Sequence, residues 1–512
     1  MASPRRALMA AEALAWQDGS GTVPAMSVDL LNRLVRAVVL LGLVGFFAYS
    51  LVSGLLENDP RMGRLEKGGG QDPGVRVLLL NRLNPPADPV RFYDKIDIII
   101  LEPVDVISPN LPDDPQYHLT LRAGSTLRVQ SDTNTGLMLG SKEWGKDYTW
   151  PVSAIRLQPQ RTEPPAPMIA GTGNPVSPAH RDPTMFEAYD REPVFALSTG
   201  RYRGSLQIMY HSAKDVAVMN CLPMESYIEG VITVEMSPSY PLEALKAQAI
   251  ASRSYAWAHL LLARKAQQEF DLADTAEDQE YKGVANGNSA VVRSAVWETR
   301  GLVMLVDHTD PFAPLFCASS GGYTENIDSV LPGARDVTGH WPLNRVMTAR
   351  PDFYCFRGAD SLNYGSSHWS HTDLIKPSDL QRALNKVLST QGKSVGYIKN
   401  LRVGRRDPRS NRVQTVLIEH TNDPEPIEMS ANSFRMLVGP NLLRSTLWTA
   451  DSPKRVESTE GKRAITYQIV SQGYGHGVGM SQVSAYQMAN ESILAEGILK
   501  FFYQDIQLTQ KW

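Results

Sequence analysis

Residues 222–259 constrain the fold of this chain more than any other stretch. An apolar run containing Val231, Ile232 and Val234 ends at Glu235 and is followed at once by Met236-Ser237-Pro238. The run resembles a strand, because β-branched residues are enriched in strands. A helical pattern follows the turn, so this stretch predicts a single acid held between a strand and a helix.

The helix after the turn is marked by its first residues and by its apolar spacing. Pro241 suits the first turn, where its missing N–H needs no partner, and Glu243 is favoured there by the helix dipole. Lys246 and Arg253 are seven residues apart and therefore share one face, either as a solvated pair or as the lining of a site. The predicted buried face consists of Leu242, Leu245, Ala249, Ala256 and Leu260.

Glu235 is the strongest candidate for chemistry in this stretch. Burial beside apolar side chains disfavours a carboxylate and raises its pKa. A Glu whose pKa lies near 6–7 can both donate and accept a proton, and such a group contributes about 10²–10⁴-fold to a reaction rate. Two interpretations stay open here, a general acid or an acid that is simply paired with a nearby Lys or Arg.

A membrane segment is predicted near the N-terminus. Residues 37–56 are uncharged and apolar, long enough to cross a hydrocarbon core of ~30 Å as a helix. Arg33 and Arg36 precede this run and Glu57 follows it, so the N-terminus is expected in the cytoplasm and the rest outside. A cleaved signal peptide is the alternative, although its apolar region would be shorter.

The order of strands, helices and further strands predicts an α+β fold. Short strands are expected within a β-rich part, at 75–80, 96–101, 119–121 and 127–129, and a helix is expected at 377–390. The 512 residues allow two domains or one with large insertions, and a net charge of −3 argues against nucleic acid as a partner. The expected divisions are a cytoplasmic segment (1–36), a transmembrane helix (37–56), a tether (57–74), the β-rich part (75–157), a proline-rich insertion or linker (158–190) and a core (191–512).

Four ordered blocks of the chain resemble the family of stage II sporulation protein D and the amidase enhancers. The first is the stretch around Glu235, read as LPMESYIEGVITVEM and YPLEALKAQAIASRSYA. The others are Tyr281-Lys282-Gly283, a serine–glycine turn and a glycine–histidine turn; the two turns read SSGGYTE from Ser319 and GHGVGMSQ from Gly475. Four blocks in the same order are far more specific than any lone motif.

The resemblance implies a lytic transglycosylase that cleaves peptidoglycan glycan strands. The predicted membrane segment places it in the bacterial cytoplasmic membrane with the catalytic region on the outer side, which agrees with such a substrate. One acid suffices for this reaction, because the sugar's own hydroxyl closes an anhydro ring and no water nucleophile is needed. The family's catalytic acid and the basic residue of its following helix correspond to Glu235 and Arg253. The expected substrate-binding residues are Lys246, Gln248, Tyr255, Ser319, Ser320, Thr324, His476 and Gln482.

The sequence also departs from the family pattern, and this keeps a second function open. Cys317-Ala318-Ser319 stands where many relatives have His-Ser-Thr, so the cleft could have changed. The alternative is an amidase enhancer that binds cell-wall glycan or a wall hydrolase, such as an amidase, without cleaving strands. A structural wall anchor with a decayed site is a third option.

No metal or other cofactor is expected, and zinc is the alternative. Four residues could be imagined as a ligand set, but their spacing matches no compact zinc signature. They are Cys317, Cys355, His368 and His371. The chain has three cysteines in all, so at most one disulfide could form within it.

Overall fold

A computed structural model describes most of the chain. The described residues are 72–80, 92–132, 136–160, 194–212, 214–275, 278–284, 289–362, 369–389, 392–457 and 465–512. Within these ranges, no helix combines the length and the apolar character that a membrane span requires. The transmembrane helix expected at 37–56 lies outside the described residues, as do the N-terminal segment, most of the tether and most of the proline-rich insertion.

Two sheets, antiparallel except where β13 pairs in parallel with β1, form the first half of the described chain. Their strands are β1 (Gly74–Leu79), β2 (Lys95–Ile100), β3 (Val104–Ile107), β4 (His118–Leu121), β5 (Thr126–Ser131), β6 (Leu137–Gly140), β7 (Tyr148–Trp150), β8 (Ala154–Pro159), β9 (Phe195–Leu197), β10 (Gly200–Tyr202), β11 (Ser205–Ser212), β12 (Asp215–Pro223) and β13 (Leu272–Ala273). The first sheet has the order β13-β1-β12-β11-β8-β3-β4, and the second has the order β10-β9-β2-β5-β6-β7. The four predicted strands of the β-rich part are confirmed.

The two sheets join the residues on either side of the proline-rich insertion. β8 pairs with β11, β1 pairs with β12, and β2 pairs with β9. The expected division near residue 157 therefore separates strands that share a sheet. The apolar faces of these strands enter one large core, in which Val77, Ile98 and Ile208 are fully buried.

Three helices follow the sheets: α1 (Met224–Glu235), α2 (Leu242–Lys265) and α3 (Ala290–Glu298). The expectation that Glu235 ends a strand is wrong, because it is the last residue of α1. The apolar residues of α1 recur at helical spacing and are buried. The stability gained by burying this helical face outweighs the β preference of Val231 and Ile232. The buried apolar set is Met224, Tyr227, Ile228, Val231 and Ile232.

The beginnings of α1 and α2 follow from their first residues. The Asp72 carboxylate accepts hydrogen bonds from the backbone N–H groups of Met224 (2.7 Å) and Glu225 (3.2 Å), which lack partners within the helix. α2 begins after Pro241 and carries Glu243 in its first turn, as predicted. Leu245, Ala249, Ala256 and Leu260 are buried on its predicted face, whereas Leu242 is half-buried.

The chain next forms a segment that contains the serine–glycine turn. Its elements are β14 (Leu302–Val306), β15 (Asp310–Pro311), β16 (Phe316–Cys317) and α4 (Tyr354–Ser361). The serine–glycine turn follows β16 directly and lies beside the large core, in which Ile327 is fully buried.

Residues 369–472 then form an insertion module with a core of its own. Its elements are β17 (Ser370–Ile375), α5 (Pro377–Ser389), β18 (Ile398–Arg406), β19 (Val413–His420), β20 (Ile427–Ser430), α6 (Ala431–Val438), β21 (Leu447–Trp448), β22 (Lys454–Glu457) and β23 (Ile465–Gln472). β17, β23 and β21 form one sheet, to which β22 pairs through β23, and β18, β19 and β20 form another. The predicted helix here is confirmed as α5, with Leu380, Leu384 and Leu388 buried.

The last elements return to the large core: β24 (Met480–Ser481), α7 (Gln482–Asn490), α8 (Ala495–Phe502) and β25 (Ile506–Gln510). β24 pairs in parallel with β16, and β25 pairs with β14. The insertion module begins and ends on neighbouring strands, since Ser370 of β17 faces Gln472 of β23. The predicted α+β class is confirmed by this mixture of helices and largely antiparallel sheets.

Candidate active site

Glu235 lies at the C-terminal end of α1, where three parts of the chain meet. Its side chain is half-buried, and its Oε1 accepts a hydrogen bond from the backbone N–H of Glu280 at 2.9 Å. The side chain of Gln482, the first residue of α7, also lies beside the carboxyl and lowers its pKa. Residues about 200 positions apart in sequence therefore converge on one acid.

The surroundings raise the pKa of Glu235 to about 7, and burial is the largest cause. The negative charge of Glu280 acts in the same direction, whereas the Glu280 N–H, the Gln482 side chain and the Lys282 charge lower the pKa. Burial outweighs these opposing contributions. A carboxyl with this pKa is present in both protonation states at neutral pH, which suits a group that must donate and accept protons.

The Tyr281-Lys282-Gly283 block places the Glu280 amide against α1. A Cβ added at Gly230 would lie 2.5 Å from the Tyr281 ring and 2.8 Å from the Gly283 carbonyl oxygen, so α1 needs glycine at this position. The Tyr281 hydroxyl donates to Asn220 Oδ1 at 2.7 Å and fixes the block to β12. This close approach brings the preceding residue, Glu280, to Glu235.

Two tyrosines on α1 and α2 add neutral hydroxyl groups near the acid. The Tyr255 hydroxyl donates to Asp278 Oδ1 at 3.2 Å, and Gln279 Nε2 donates to the Tyr227 hydroxyl at 3.5 Å. Burial raises the pKa of both tyrosines well above the usual value, and the charges of Asp278 and Glu235 act in the same direction. Both hydroxyls therefore remain protonated at neutral pH.

An amide pair closes the other side of the site. Gln482 Nε2 donates to Gln248 Oε1 at 3.4 Å, and Gln248 Nε2 donates to Ser252 Oγ at 3.0 Å. The structure thus brings three of the predicted residues, Gln248, Tyr255 and Gln482, together with Glu235. Tyr227, Asp278 and the Glu280 amide were missed from the sequence, although Asp278 and Glu280 immediately precede the Tyr281 block.

The serine–glycine and glycine–histidine turns pack directly on each other. Ser319 and Tyr474 exchange backbone hydrogen bonds of 3.0 and 2.9 Å, and the Glu325 N–H donates to the Gly477 carbonyl at 2.8 Å. The Ser320 N–H donates to Ser481 Oγ at 3.3 Å, and Ser481 also caps α7. The paired turns therefore hold the end of α7 that carries Gln482.

The side chains of the serine–glycine turn point into the protein. Ser319 Oγ lies 3.2 Å from Cys355 Sγ, Ser320 Oγ donates to Asp352 at 2.6 Å, and Thr324 Oγ1 donates to a backbone carbonyl at 3.1 Å. All three are buried. Their predicted contacts with substrate stay predictions, to which this geometry adds no support.

His476 is held within its own turn. Its Nδ1 accepts a hydrogen bond from the Val478 N–H at 3.0 Å. Burial, together with the positive charges of Arg435 and Arg412, lowers the pKa of His476 to about 3. The imidazole is therefore neutral at physiological pH, and its predicted role at the substrate stays a prediction.

Lys246 and Arg253 share one face of α2, as predicted, but each is engaged in ion pairs. Lys246 Nζ lies 2.8 Å from Glu243 and 2.7 Å from Glu298. Arg253 is fully buried and binds Glu225 with Nη2–Oε2 at 2.6 Å and Nε–Oε1 at 3.0 Å. Glu225 lies ten residues before Glu235 on α1, or about 15 Å along the helix axis. Roles for Lys246 at substrate and for Arg253 in catalysis therefore stay predictions without support from this geometry.

Cys317 and Cys355 are buried thiols. Burial raises the pKa of Cys317 to about 12. His371 lies beside Asp373, with Nε2–Oδ2 at 3.8 Å, and His368 lies outside the described residues. Across the described ranges, no three His, Cys, Asp or Glu side chains group into a set that could hold a metal ion.

Two family models match separate parts of the chain. The model described as Stage II sporulation protein matches residues 212–305, which include Glu235, α1 and α2. A second model, described as a domain of unknown function, matches residues 358–479 and so spans the insertion module and the glycine–histidine turn.

Curated relatives extend the similarity beyond these two matches. An uncharacterized protein of Brachyspira hyodysenteriae is 30% identical over 332 residues, covering 64% of this chain and 77% of that protein. Stage II sporulation protein D of Bacillus subtilis is 26% identical over 56% of this chain and 75% of its own length. The amidase enhancer of the same organism is 27% identical over 55% of this chain and 40% of its own length.

Proposed function

Because the chain belongs to the family of stage II sporulation protein D and the amidase enhancers, we propose that it is a lytic transglycosylase of peptidoglycan with Glu235 as its acid and base. The observation that carries this proposal is the pKa of Glu235, raised to about 7 in a half-buried position. A carboxyl with its usual pKa would be almost fully ionised at neutral pH and a poor proton donor.

The proposed reaction uses one carboxyl twice. Protonated Glu235 donates its proton to the glycosidic oxygen as the bond from that oxygen to the anomeric carbon breaks. The carboxylate then accepts the proton of the same sugar's hydroxyl, whose oxygen bonds to the anomeric carbon and closes the anhydro ring. Glu235 ends the cycle protonated, and neither water nor a second carboxylate at hydrolase spacing is required.

The residues around Glu235 support both halves of this cycle. The Glu280 N–H is hydrogen-bonded to the carboxyl, and the Gln482 side chain also lowers its pKa, so both stabilise the carboxylate that forms after the first proton transfer. Burial acts against that charge and keeps the group able to take the proton back. The balance between these effects is what makes one residue suitable for both roles.

We also propose that residues 37–56 anchor the chain in the bacterial cytoplasmic membrane with the site on the outer side. This proposal rests on the uncharged apolar run and on the arginines before it. Glycan strands would then be the substrate, and a cell-wall amidase is a candidate partner.

The decisive experiment measures products from purified glycan strands. The full chain, purified in detergent, is incubated with strands that carry or lack stem peptides, and anhydro-ended products are identified by mass spectrometry. Glu235→Gln removes the proton donor with little change of shape. Glu425→Gln, in an exposed loop of the insertion module, is the matched control.

The outcomes separate the two functions. Product from the wild-type chain and from Glu425→Gln, but not from Glu235→Gln, supports the transglycosylase. Strand binding without product from any variant favours the amidase-enhancer alternative, and equal product from all three removes Glu235 from its assigned role. In an active enzyme, kcat/KM should fall as the pH rises through about 7, because the free enzyme must carry the proton.

A further inference from the structure

Arg412 of the insertion module is buried between the two glycine-containing turns. It lies just before β19, and only 1% of its surface is exposed. Its Nη2 donates to the backbone carbonyls of Ser320 (2.6 Å) and Tyr323 (3.2 Å), both in the serine–glycine turn. A residue of the module thus holds a turn that belongs to the large core.

The guanidinium also contacts the glycine–histidine turn. Gly477 has a φ of +80°, and a Cβ added there would overlap the Arg412 guanidinium. On the module side, Nη1 donates to Ser445 Oγ and Thr446 Oγ1, each at 3.2 Å. The absence of a side chain at Gly477 is therefore what lets the arginine lie between the turns.

The charge of Arg412 is balanced at the same junction. Glu325 of the serine–glycine turn is fully buried, and its Oε2 accepts a hydrogen bond from Ser410 Oγ at 2.7 Å. Ser410 Oγ also accepts from the Arg412 N–H at 3.2 Å. A buried charge requires this kind of compensation, so the junction fits an arginine and not a neutral side chain.

Hydrogen bonds connect Arg412 with the helix that carries Gln482. Ser320, whose carbonyl accepts from Arg412, donates its own N–H to Ser481 Oγ at 3.3 Å. Ser481 caps α7, and the side chain of the next residue, Gln482, lies beside Glu235 and lowers the pKa of its carboxyl. The position of the amide beside the acid therefore depends on where Arg412 holds the serine–glycine turn.

We propose that Arg412 is a positioning residue for Glu235 and that the insertion module completes the active site by supplying it. The catalytic consequence rests on the proposed function, whereas the positioning of Gln482 does not. This assigns a role to the part of the chain that matches a domain of unknown function.

The test compares two arginine-to-lysine variants in the full chain. Arg412→Lys keeps the charge but loses the forked geometry that reaches both turns. Arg406→Lys is the matched control, since Arg406 donates to the carbonyls of Asn411, Trp448 and Thr449, all within the module. We expect kcat to fall about 10- to 100-fold in Arg412→Lys, because small displacements of catalytic groups have effects of this size. We expect kcat of folded Arg406→Lys to stay within about twofold of the wild-type value.

A pH profile separates positioning from a loss of folded protein. A displaced Gln482 side chain loses its contribution to lowering the pKa of Glu235. The alkaline limb of the profile should therefore move to higher pH in Arg412→Lys and stay in place in Arg406→Lys. A uniform loss of activity with an unchanged limb overturns the proposal, and so does wild-type behaviour of Arg412→Lys.

An infrared titration of the Glu235 carboxyl provides a readout without catalysis. Its band is identified by its absence in Glu235→Gln, and its midpoint is followed with pH in each variant. An upward shift of the titration midpoint that is confined to Arg412→Lys supports the positioning role. This holds even if no variant yields product, because the absence of product would contradict only the proposed function. If Arg412→Lys does not fold, Ser481→Ala interrupts the same connection and should shift the midpoint likewise. An unshifted midpoint overturns the proposal.

Discussion

Replacing Glu235 with glutamine should stabilise this protein, and the gain should depend on pH. Burial raises the pKa of this carboxyl from an ordinary value near 4.5 to about 7 in the folded chain. Since each pKa unit corresponds to about 1.4 kcal/mol, ionising Glu235 costs the folded state about 3 kcal/mol relative to the unfolded chain. Glutamine has a similar shape and cannot ionise.

Proton binding to Glu235 decides whether the stability of the wild-type protein rises or falls with pH. Between pH 4.5 and about 7 the folded chain holds a proton on Glu235 that the unfolded chain has released, so wild-type stability falls as the pH rises. Below pH 4.5 the carboxyl is protonated in both states and contributes no such difference. The advantage of Glu235→Gln should therefore appear above pH 4.5 and reach its full size, about 3 kcal/mol, above pH 7.

Urea denaturation from pH 4 to pH 9 measures the free energy of unfolding of the large core. Glu425→Gln is again the control, and its effect should remain within about 0.5 kcal/mol at every pH, as is usual for exposed positions. An equal effect of Glu235→Gln at pH 4 and pH 8 would refute the linkage. No stabilisation at pH 8 would show that the carboxyl is not held at a raised pKa.

Three further substitutions test the surrounding structure. Arg253→Met leaves Glu225 buried without its ion-pair partner and should cost about 3–5 kcal/mol in urea denaturation; a cost below 1 kcal/mol would argue against the pair. Gly230→Ala should displace the Tyr281 block and weaken the N–H bond to the acid, raising the pKa of the catalytic group and lowering glycan cleavage. Lys246→Ala should leave the rate of glycan cleavage within about twofold of the wild-type value. It should change the free energy of unfolding by about 1 kcal/mol or less, because the ion pairs of Lys246 are partly exposed. A large loss of cleavage would support the predicted contact of Lys246 with substrate.

Local patterns in the sequence were sufficient to predict several of the elements and to select the candidate acid. The helical spacing after Pro241 predicted α2, the leucines four apart predicted α5, and the alternating apolar residues predicted the first strands. These signals are reliable because they reflect contacts that each element makes along one face. They failed at α1. Its β-branched residues predicted a strand, although its buried residues recur with the helical period near 3.6.

The roles of the charged residues could not be read from the sequence. Arg253 and Lys246 occupy one face of α2. Only the packing of α1 and α3 shows that Glu225 pairs with Arg253 and that Glu298 joins Glu243 as a partner of Lys246. An arginine in a motif has the same sequence signature whether it binds substrate or an internal carboxylate. Which of these it does depends on the residues that surround it in space.

The α+β class, the helix after the site and the choice of Glu235 as the candidate acid could be predicted from the chain alone, because they rest on short-range periodicity and residue type. Tertiary structure alone decided which groups reach that acid and what its pKa becomes. Gln482, the Glu280 amide and the connection through Arg412 come from segments far apart in the chain, and a pKa is set by burial and neighbouring charge, which exist only once those segments have packed.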